Sequence, residues 1–223
     1  MKRLREAKLN SDRTQAAYKI KSVVLNSASF GLPQNRERVY IMGVRQSTSL
    51  KRPKPTISMP TVQKPRIRDC LRPLSVQQRT VRHSKTALLN IRWAKRRLDG
   101  LRKKGVQIVD PICDCGAGRK FRQLRYDGLC PTITRSRGAQ ASFYLLDEDR
   151  RLGLNEHPHR PDLAPRYLTL KEMEVIQGFK SITWPVGLKR TCRGAMIGNA
   201  MSLPCLAAAM KAVLLAAGMI RKP

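Results

Sequence analysis

The stretch Phe30 to Arg45, FGLPQNRERVYIMGVR, constrains this chain more than any other. A turn with Gly31 and Pro33 leads into the cluster Gln34, Arg36, Arg38, which runs into a short apolar strand, Val39, Ile41, Val44. Side chains alternate faces along a strand, so the glutamine and both arginines are expected to point the same way. Two guanidiniums and an amide on one edge make a donor fork suited to phosphate or to a base carbonyl. An exposed basic strand is the plainer reading of the same residues. Upstream, Tyr18 to Leu25 (YKIKSVVL) alternates and then turns β-branched, which reads as a strand. Asn26 to Gln34 is the connecting loop and Glu37 to Arg45 the second strand. A strand, loop and strand followed by a shift in composition marks the edge of a larger α/β sheet.

That shift is electrostatic. The net charge is +30 and the isoelectric point about 11.1. From Arg45 to Gly105 there are 18 Lys and Arg against 2 acidic residues, a local excess of +16. Charge this one-sided points to a polyanionic partner, and nucleic acid fits best. A basic RNA- or ribosome-associated protein competes on charge alone. Aromatics make up only 5%, which argues against a binder built on base-stacking platforms. Hydrophobic residues at 41% support a folded core, and 223 residues suffice for one to two domains. Six irregularly spaced cysteines with no secretory signal before them indicate a reducing, intracellular compartment. No apolar run is long enough to span a membrane.

Met1 to Ala17 is expected to be the tail of a helix, on the weak spacing of Leu4, Ala7 and Leu9. Gln46 to Arg68, punctuated by Pro53, Pro55, Pro60 and Pro65, reads as an extended linker or surface loop. Ser75 to Lys104 reads as a helix with an apolar stripe at Leu88, Ile91, Ala94, Leu98 and Leu101, stopped by Gly105. Its other face carries Arg92, Lys95, Arg96, Arg102 and Lys103, candidate contacts to the DNA backbone. Val106 to Val109, Cys130 to Arg135 and Ala141 to Leu146 read as short strands of a small, mostly irregular β unit. Leu152 to Pro165 reads as a loop. Thr169 to Gln177 is a helix with a capping box between Thr169 and Glu172, ended by Gly178. Ser202 to Ala217 is the last helix, with Ser202 as N-cap and a stripe of Leu203, Leu206, Met210, Val213, Leu214 and Ala217, ended by Gly218. Cys113, Cys115 and Cys130, and His157 with His159, lack the spacing of a zinc site, so no metal is assigned. Trp93 and Trp184 read as packing residues.

Phe30 to Arg45, with the preceding VVLNSASFG, resembles the eighth conserved motif of the DNA cytosine-5 methyltransferases. RYLTLKEMEVIQGFKSITWP (Arg166 to Pro185) resembles the ninth, and GNAMSLPCLAAAM (Gly198 to Met210) the tenth. CPTITRSRG (Cys130 to Gly138) is similar to a segment of the target recognition region. The resemblance implies that Arg38 holds the O2 of the target cytosine and that Arg36, with Gln34, anchors DNA and site. It further implies DNA contacts from Thr134, Arg135 and Arg137, and a partial S-adenosylmethionine site at Asn199 and Ala200. The reaction implied is addition of a cysteine thiolate to C6 of a flipped-out cytosine, followed by methyl transfer to C5.

The family's Pro-Cys-Gln/Asn nucleophile, Glu-Asn-Val and Phe-x-Gly-x-Gly elements are not in this sequence. Pro204-Cys205 is followed by Leu206, and Cys205 reads as a small packed residue. The expectation is therefore an α/β fold: the C-terminal portion of a methyltransferase sheet domain with an inserted recognition domain. Residues 1–45 would be trailing strands of the catalytic domain, 46–165 the recognition domain, and 166–223 the return to the first domain. The chain would be a split subunit, a fragment of a full enzyme or an inactive DNA-binding remnant. Its partners would be double-stranded DNA and an N-terminal methyltransferase half. Its location would be with DNA, in a nucleus or a bacterial nucleoid.

Overall fold

The computed structural model describes residues 8–9, 12–46, 52–63, 65–71, 84–114, 123–146 and 166–221. Near the N-terminus two short strands pair, β1 (Lys8–Leu9) with β2 (Asp12–Ala16). The helical tail expected there is replaced by this hairpin, because Asn10-Ser11 interrupts a pattern too weak to hold a helix.

β3 (Tyr18–Asn26) and β4 (Glu37–Arg45) form the expected antiparallel hairpin, with Val24 opposite Val39 and Leu25 opposite Arg38. A 3-10 turn at Ser27–Phe30 lies between them, capped by the Asn26 side chain. On the inner face Leu25, Tyr40 and Met42 pack against the last helix. On the outer face Val24, Val39 and Ile41 are exposed.

The second sheet is ordered β6 (Gln123–Arg125), β5 (Ile112–Asp114), β7 (Phe143–Leu145), β8 (Arg166–Tyr167), all antiparallel. Its two faces bury different cores, as strand alternation requires. Ile112, Phe143 and Leu145 point to one side, with Ile67, Ile133, Met173, Ile176 and Ile197. Cys113, Tyr144 and Leu146 point to the other, against α1 (Lys85–Lys103). Strand β8 extends this sheet across residue 165, and the ninth-motif residues share its core.

Helix α1 starts at Ser84, whose hydroxyl accepts from the Ala87 amide at 3.1 Å. The earlier start at Ser75 lies outside the described residues. Its buried stripe is Ala87, Asn90, Ile91, Ala94 and Leu98, so Leu88 is exposed, contrary to expectation. The small residues sit where the helix lies on the sheet. The 3-10 turn at Ile67–Cys70 places Ile67 fully inside the core, so the end of the expected linker is a packed strap. Val106 to Val109 is not a strand: Val109 makes a single bridge with Asp127. The expected loop at Leu152 to Pro165 lies outside the described residues.

Cys130 to Arg135 also differs from expectation. Cys130 makes one parallel bridge with Gln34, and helix α2 (Arg135–Gln140) begins directly after Thr134. The β propensity of Thr132 and Ile133 gives way to a tertiary contact. α2 crosses α4 (Arg190–Asn199) at backbone distance. A Cβ built on Gly138 would overlap the Gly194 carbonyl, and one on Gly194 or Gly198 would overlap the carbonyl of Gly138 or Thr134. Only glycine permits this approach.

α3 (Leu170–Ile176) has the full capping box: Thr169 Oγ1 accepts from the Glu172 amide at 3.2 Å, and Glu172 accepts from the Thr169 amide at 2.9 Å. α5 (Leu203–Ala216) is the last helix. It buries Cys205, Ala209, Ala212 and Ala216 on the hairpin, while Leu203 and Met210 are exposed. Of the predicted stripe, Leu203 and Met210 are thus outside, while Leu206, Val213, Leu214 and Ala217 are half-buried at its flank and Val213 packs against the core. The small residues face inward because β4 approaches closely with Tyr40 and Met42. Among the described residues no single helix is long and apolar enough to cross a membrane.

Candidate functional site

The site is a junction of three segments distant in sequence. The loop before β4 pairs with the start of the 130–140 segment. Cys130 N donates to Pro33 O at 2.7 Å, Asn35 N donates to Cys130 O at 2.8 Å, and Thr132 Oγ1 donates to Asn35 O at 2.8 Å. Arg36 completes the junction. Its Nη1 donates to Ile133 O at 2.7 Å, and its Nη2 to Ala200 O at 2.8 Å and Gly198 O at 3.3 Å. The eighth-motif loop, the segment after Cys130 and the tenth-motif turn therefore meet at one guanidinium.

The expected fork of three donors on one edge is not what forms. Gln34 is fully buried, and neither atom of its amide has a hydrogen-bond partner. Arg36 is 4% exposed, and its two terminal nitrogens donate to backbone carbonyls while its Nε has no partner. Arg38 alone is exposed, with one bond, from Nη1 to Glu37 O at 2.6 Å. The extended strand begins only at Glu37, so the preceding loop turns Gln34 and Arg36 inward. Burial lowers the pKa of Arg36 to about 10, and the charge of Arg38 adds to the effect. Arg36 remains a cation at neutral pH. Burial, then the neighbouring Cys205, pushes the Tyr40 phenol up to about 12.

Asn199 is exposed at the end of α4, and Ala200 is half-buried as its C-cap. The carbonyls on either side of Asn199 are those that Arg36 holds. Nearby in sequence, Ser202 is buried with its hydroxyl unpartnered. The glutamine of Q-G-F is structural: Gln177 Nε2 donates to Ile197 O at 2.8 Å.

The residues expected to contact DNA divide. Thr134 and Arg135 line a cavity of about 540 Å³ between α2 and α4, with Ser136, Thr191 and Cys192. Arg137 is turned inward to an ion pair with the fully buried Asp114, a correction to its expected place on DNA. Arg92, Lys95, Arg96 and Lys103 are exposed on α1, and Arg102 pairs with Asp99 at 3.3 Å. These α1 residues lie across the second sheet from Arg36, and the two groups do not come together. A polar cavity of about 450 Å³ opens beside the junction, lined by Asn35, Gln123, Arg125 and Thr132. Sequence reasoning missed those four.

It also missed the buried pair Arg166–Glu172, bidentate at 2.9 and 2.8 Å, which accounts for R-x-L-T-x-x-E as a folding motif. Both partners were visible, but Glu172 was read only as a cap. Trp184 donates to Glu174 at 2.8 Å, a packing role as expected.

Cys205 is 1% exposed, lies in the core beside Tyr40, and has its pKa raised by burial. Cys130 is buried with its pKa raised well above the usual thiol value. Such thiols are inert. Among the described residues no group of His, Cys, Asp and Glu is placed to hold a metal; Cys115, His157 and His159 lie outside them.

The fold is similar to that of an Entamoeba histolytica methyltransferase, EhMeth, with a TM-score of 0.52 at 18% identity over 89% of this chain and 54% of that one. It is similar also to the S. pombe Dnmt2 methyltransferase, with a TM-score of 0.51 at 17% identity over 89% of this chain and 57% of that one. The chain thus spans little more than half the length of either. No curated protein gives a significant sequence match. The model of the C-5 cytosine-specific DNA methylase family matches residues 6–214, nearly the whole length, and the chain belongs to that family.

Proposed function

We propose that this chain is the C-terminal half of a DNA cytosine-5 methyltransferase. It positions the target cytosine, carries DNA-recognition surface and supplies one edge of the S-adenosylmethionine site. The nucleophile comes from an N-terminal half, as a separate subunit or as the preceding part of a longer chain. The proposed location is intracellular, on DNA.

The observation that carries this reading is the Arg36 clamp. One buried cation holds the hairpin, the recognition segment and the turn at Asn199 in fixed relation. Arg38, two residues on and within the strand, is left exposed to donate outward. With the cytosine out of the stack, Arg38 donates to O2 and stabilises the charge that develops on the ring as a thiolate adds to C6. S-adenosylmethionine, when bound, supplies the methyl group from a sulfonium. The turn fits one edge of that cofactor: Asn199 is exposed, its neighbouring carbonyls are held, and the buried Ser202 hydroxyl has no partner.

Two apolar surfaces support the need for a second half. The outer hairpin face exposes Val24, Val39 and Ile41, and the outer flank of α5 exposes Leu203 and Met210. Such patches mark contact surfaces. The experiment is radiolabelled methyl transfer to cytosine in DNA, by the chain alone and with a polypeptide carrying the family's N-terminal motifs. Transfer is expected only with the complement. Transfer by the chain alone overturns the half-enzyme reading. A complement that folds with it and binds DNA but gives no transfer leaves an inactive DNA-binding protein.

A further inference from the structure

Helix α1 turns its basic ridge away from the junction. Its buried stripe packs on Cys113, Tyr144 and Leu146, on one face of the second sheet. The opposite face packs on the layer containing Ile133 and Ile197, to which Arg36 is tied. The sheet therefore separates α1 from Arg38. The outer ridge lies on the order of 20 Å from the arginine site, a helix diameter plus one layer spacing. Along the ridge, at steps of four and three, stand Lys85, Leu89, Arg92, Arg96, Asp99 and Lys103, all exposed. The one acid among them, Asp99, is paired with Arg102. Over the helix's 19 residues, about 28 Å, this row carries four cations, Lys85, Arg92, Arg96 and Lys103.

The geometry points to a second nucleic-acid surface: the α1 ridge takes the backbone of a duplex other than the one held at Arg38, so that one chain joins two DNA segments. This rests on the reading that substrate DNA lies at Arg38. A duplex, stiff over about 150 base pairs, does not fold around a layer this thin to reach both faces. The ridge offers point charges in a line, which match the regular phosphate row of a duplex. Its one aromatic, Trp93, is 37% exposed, and one half-covered ring makes no stacking platform for a single strand.

The test is co-capture. The full 223-residue chain, at a concentration where light scattering shows a monomer, is mixed with a bead-bound duplex and a fluorescent duplex. Wild-type chain is expected to bring the fluorescent duplex to the beads. The triple variant R92A/R96A/K103A is expected to lower co-capture at least tenfold while still binding a single duplex. The control K21A/K180A/K211A, which removes the same charge from exposed positions elsewhere, is expected to keep it. Thermal unfolding of each variant checks that the fold is intact. Single-duplex binding without co-capture by the wild type overturns the inference and leaves the half-enzyme reading standing. Equal loss in both variants also overturns it, as does loss of all binding in the α1 variant, which would make α1 the sole site. Failure of the wild type to bind any duplex sinks the half-enzyme reading itself.

Discussion

Arg36 and Arg38 share a residue type and stand two residues apart, yet their surroundings give them opposite tasks. Arg36 meets three carbonyls inside the protein, and its removal leaves them buried and unpaired. Arg36→Ala is expected to lower stability by roughly 3 kcal/mol or more, read as a fall in the urea midpoint. Arg38→Ala removes only an exposed donor. In the assembled enzyme it is expected to lower turnover by about 10²–10³, with DNA affinity nearly unchanged. Wild-type turnover in that variant would show that the motif has been misassigned. Tyr40 gives a pH signature. Its folded pKa, about 12, lies above the unfolded value of about 10. Between these values the unfolded chain has lost a proton that the folded protein keeps, so stability falls as pH rises through that window. Unfolding midpoints at about pH 9 and 11 are expected to differ more for wild type than for Tyr40→Phe.

At the scale of elements, the crossing of α2 and α4 decides how the segment after Cys130 sits on the turn at Asn199. A methyl group at Gly194 has no free space, so Gly194→Ala is expected to cost about 3 kcal/mol, at the upper end of overpacking. Gly100 lies inside α1 with nothing near its Cβ position. Gly100→Ala is expected to stabilise by about 0.5–1 kcal/mol through helix propensity and a stiffer unfolded chain. Chemical denaturation of the two variants reads both signs. A tolerated Gly194→Ala would mean that the helices do not touch there. The same close packing explains why α5 buries alanines and Cys205 and leaves Leu203 and Met210 outside.

For the whole molecule, a charge of +30 on 223 residues means that the proposed DNA binding is expected to be electrostatic in origin. Log affinity is expected to fall with log salt at a slope of about −0.9 for each phosphate neutralised. A flat response would remove the charge argument. The α1 cations and the Arg36 junction lie on opposite sides of the second sheet. On the proposed function, the α1 cations are expected to add affinity without touching the base to be modified, while Arg38 is expected to act on the base and add little affinity.

The sequence by itself determined the hairpin, the capping box of α3, the glycine stops after α1 and α5, and the meeting of three ordered motifs in one family. Each rests on local chemistry: alternation in β3 and β4, a Thr and a Glu three apart, positive φ at Gly105 and Gly218. Only the tertiary structure decided which arginine faces out. Gln34, Arg36 and Arg38 are all polar in sequence; Arg36 is drawn inward by carbonyls about 100 and 160 residues further along the chain, and Gln34 is buried beside it in the loop that pairs with Cys130. The same holds for Arg137, drawn inward by Asp114, and for the segment after Cys130, whose β propensity yields to a glycine crossing that no local pattern contains. Local pattern fixes the elements, whereas partners for buried charges and backbone groups are chosen across the fold.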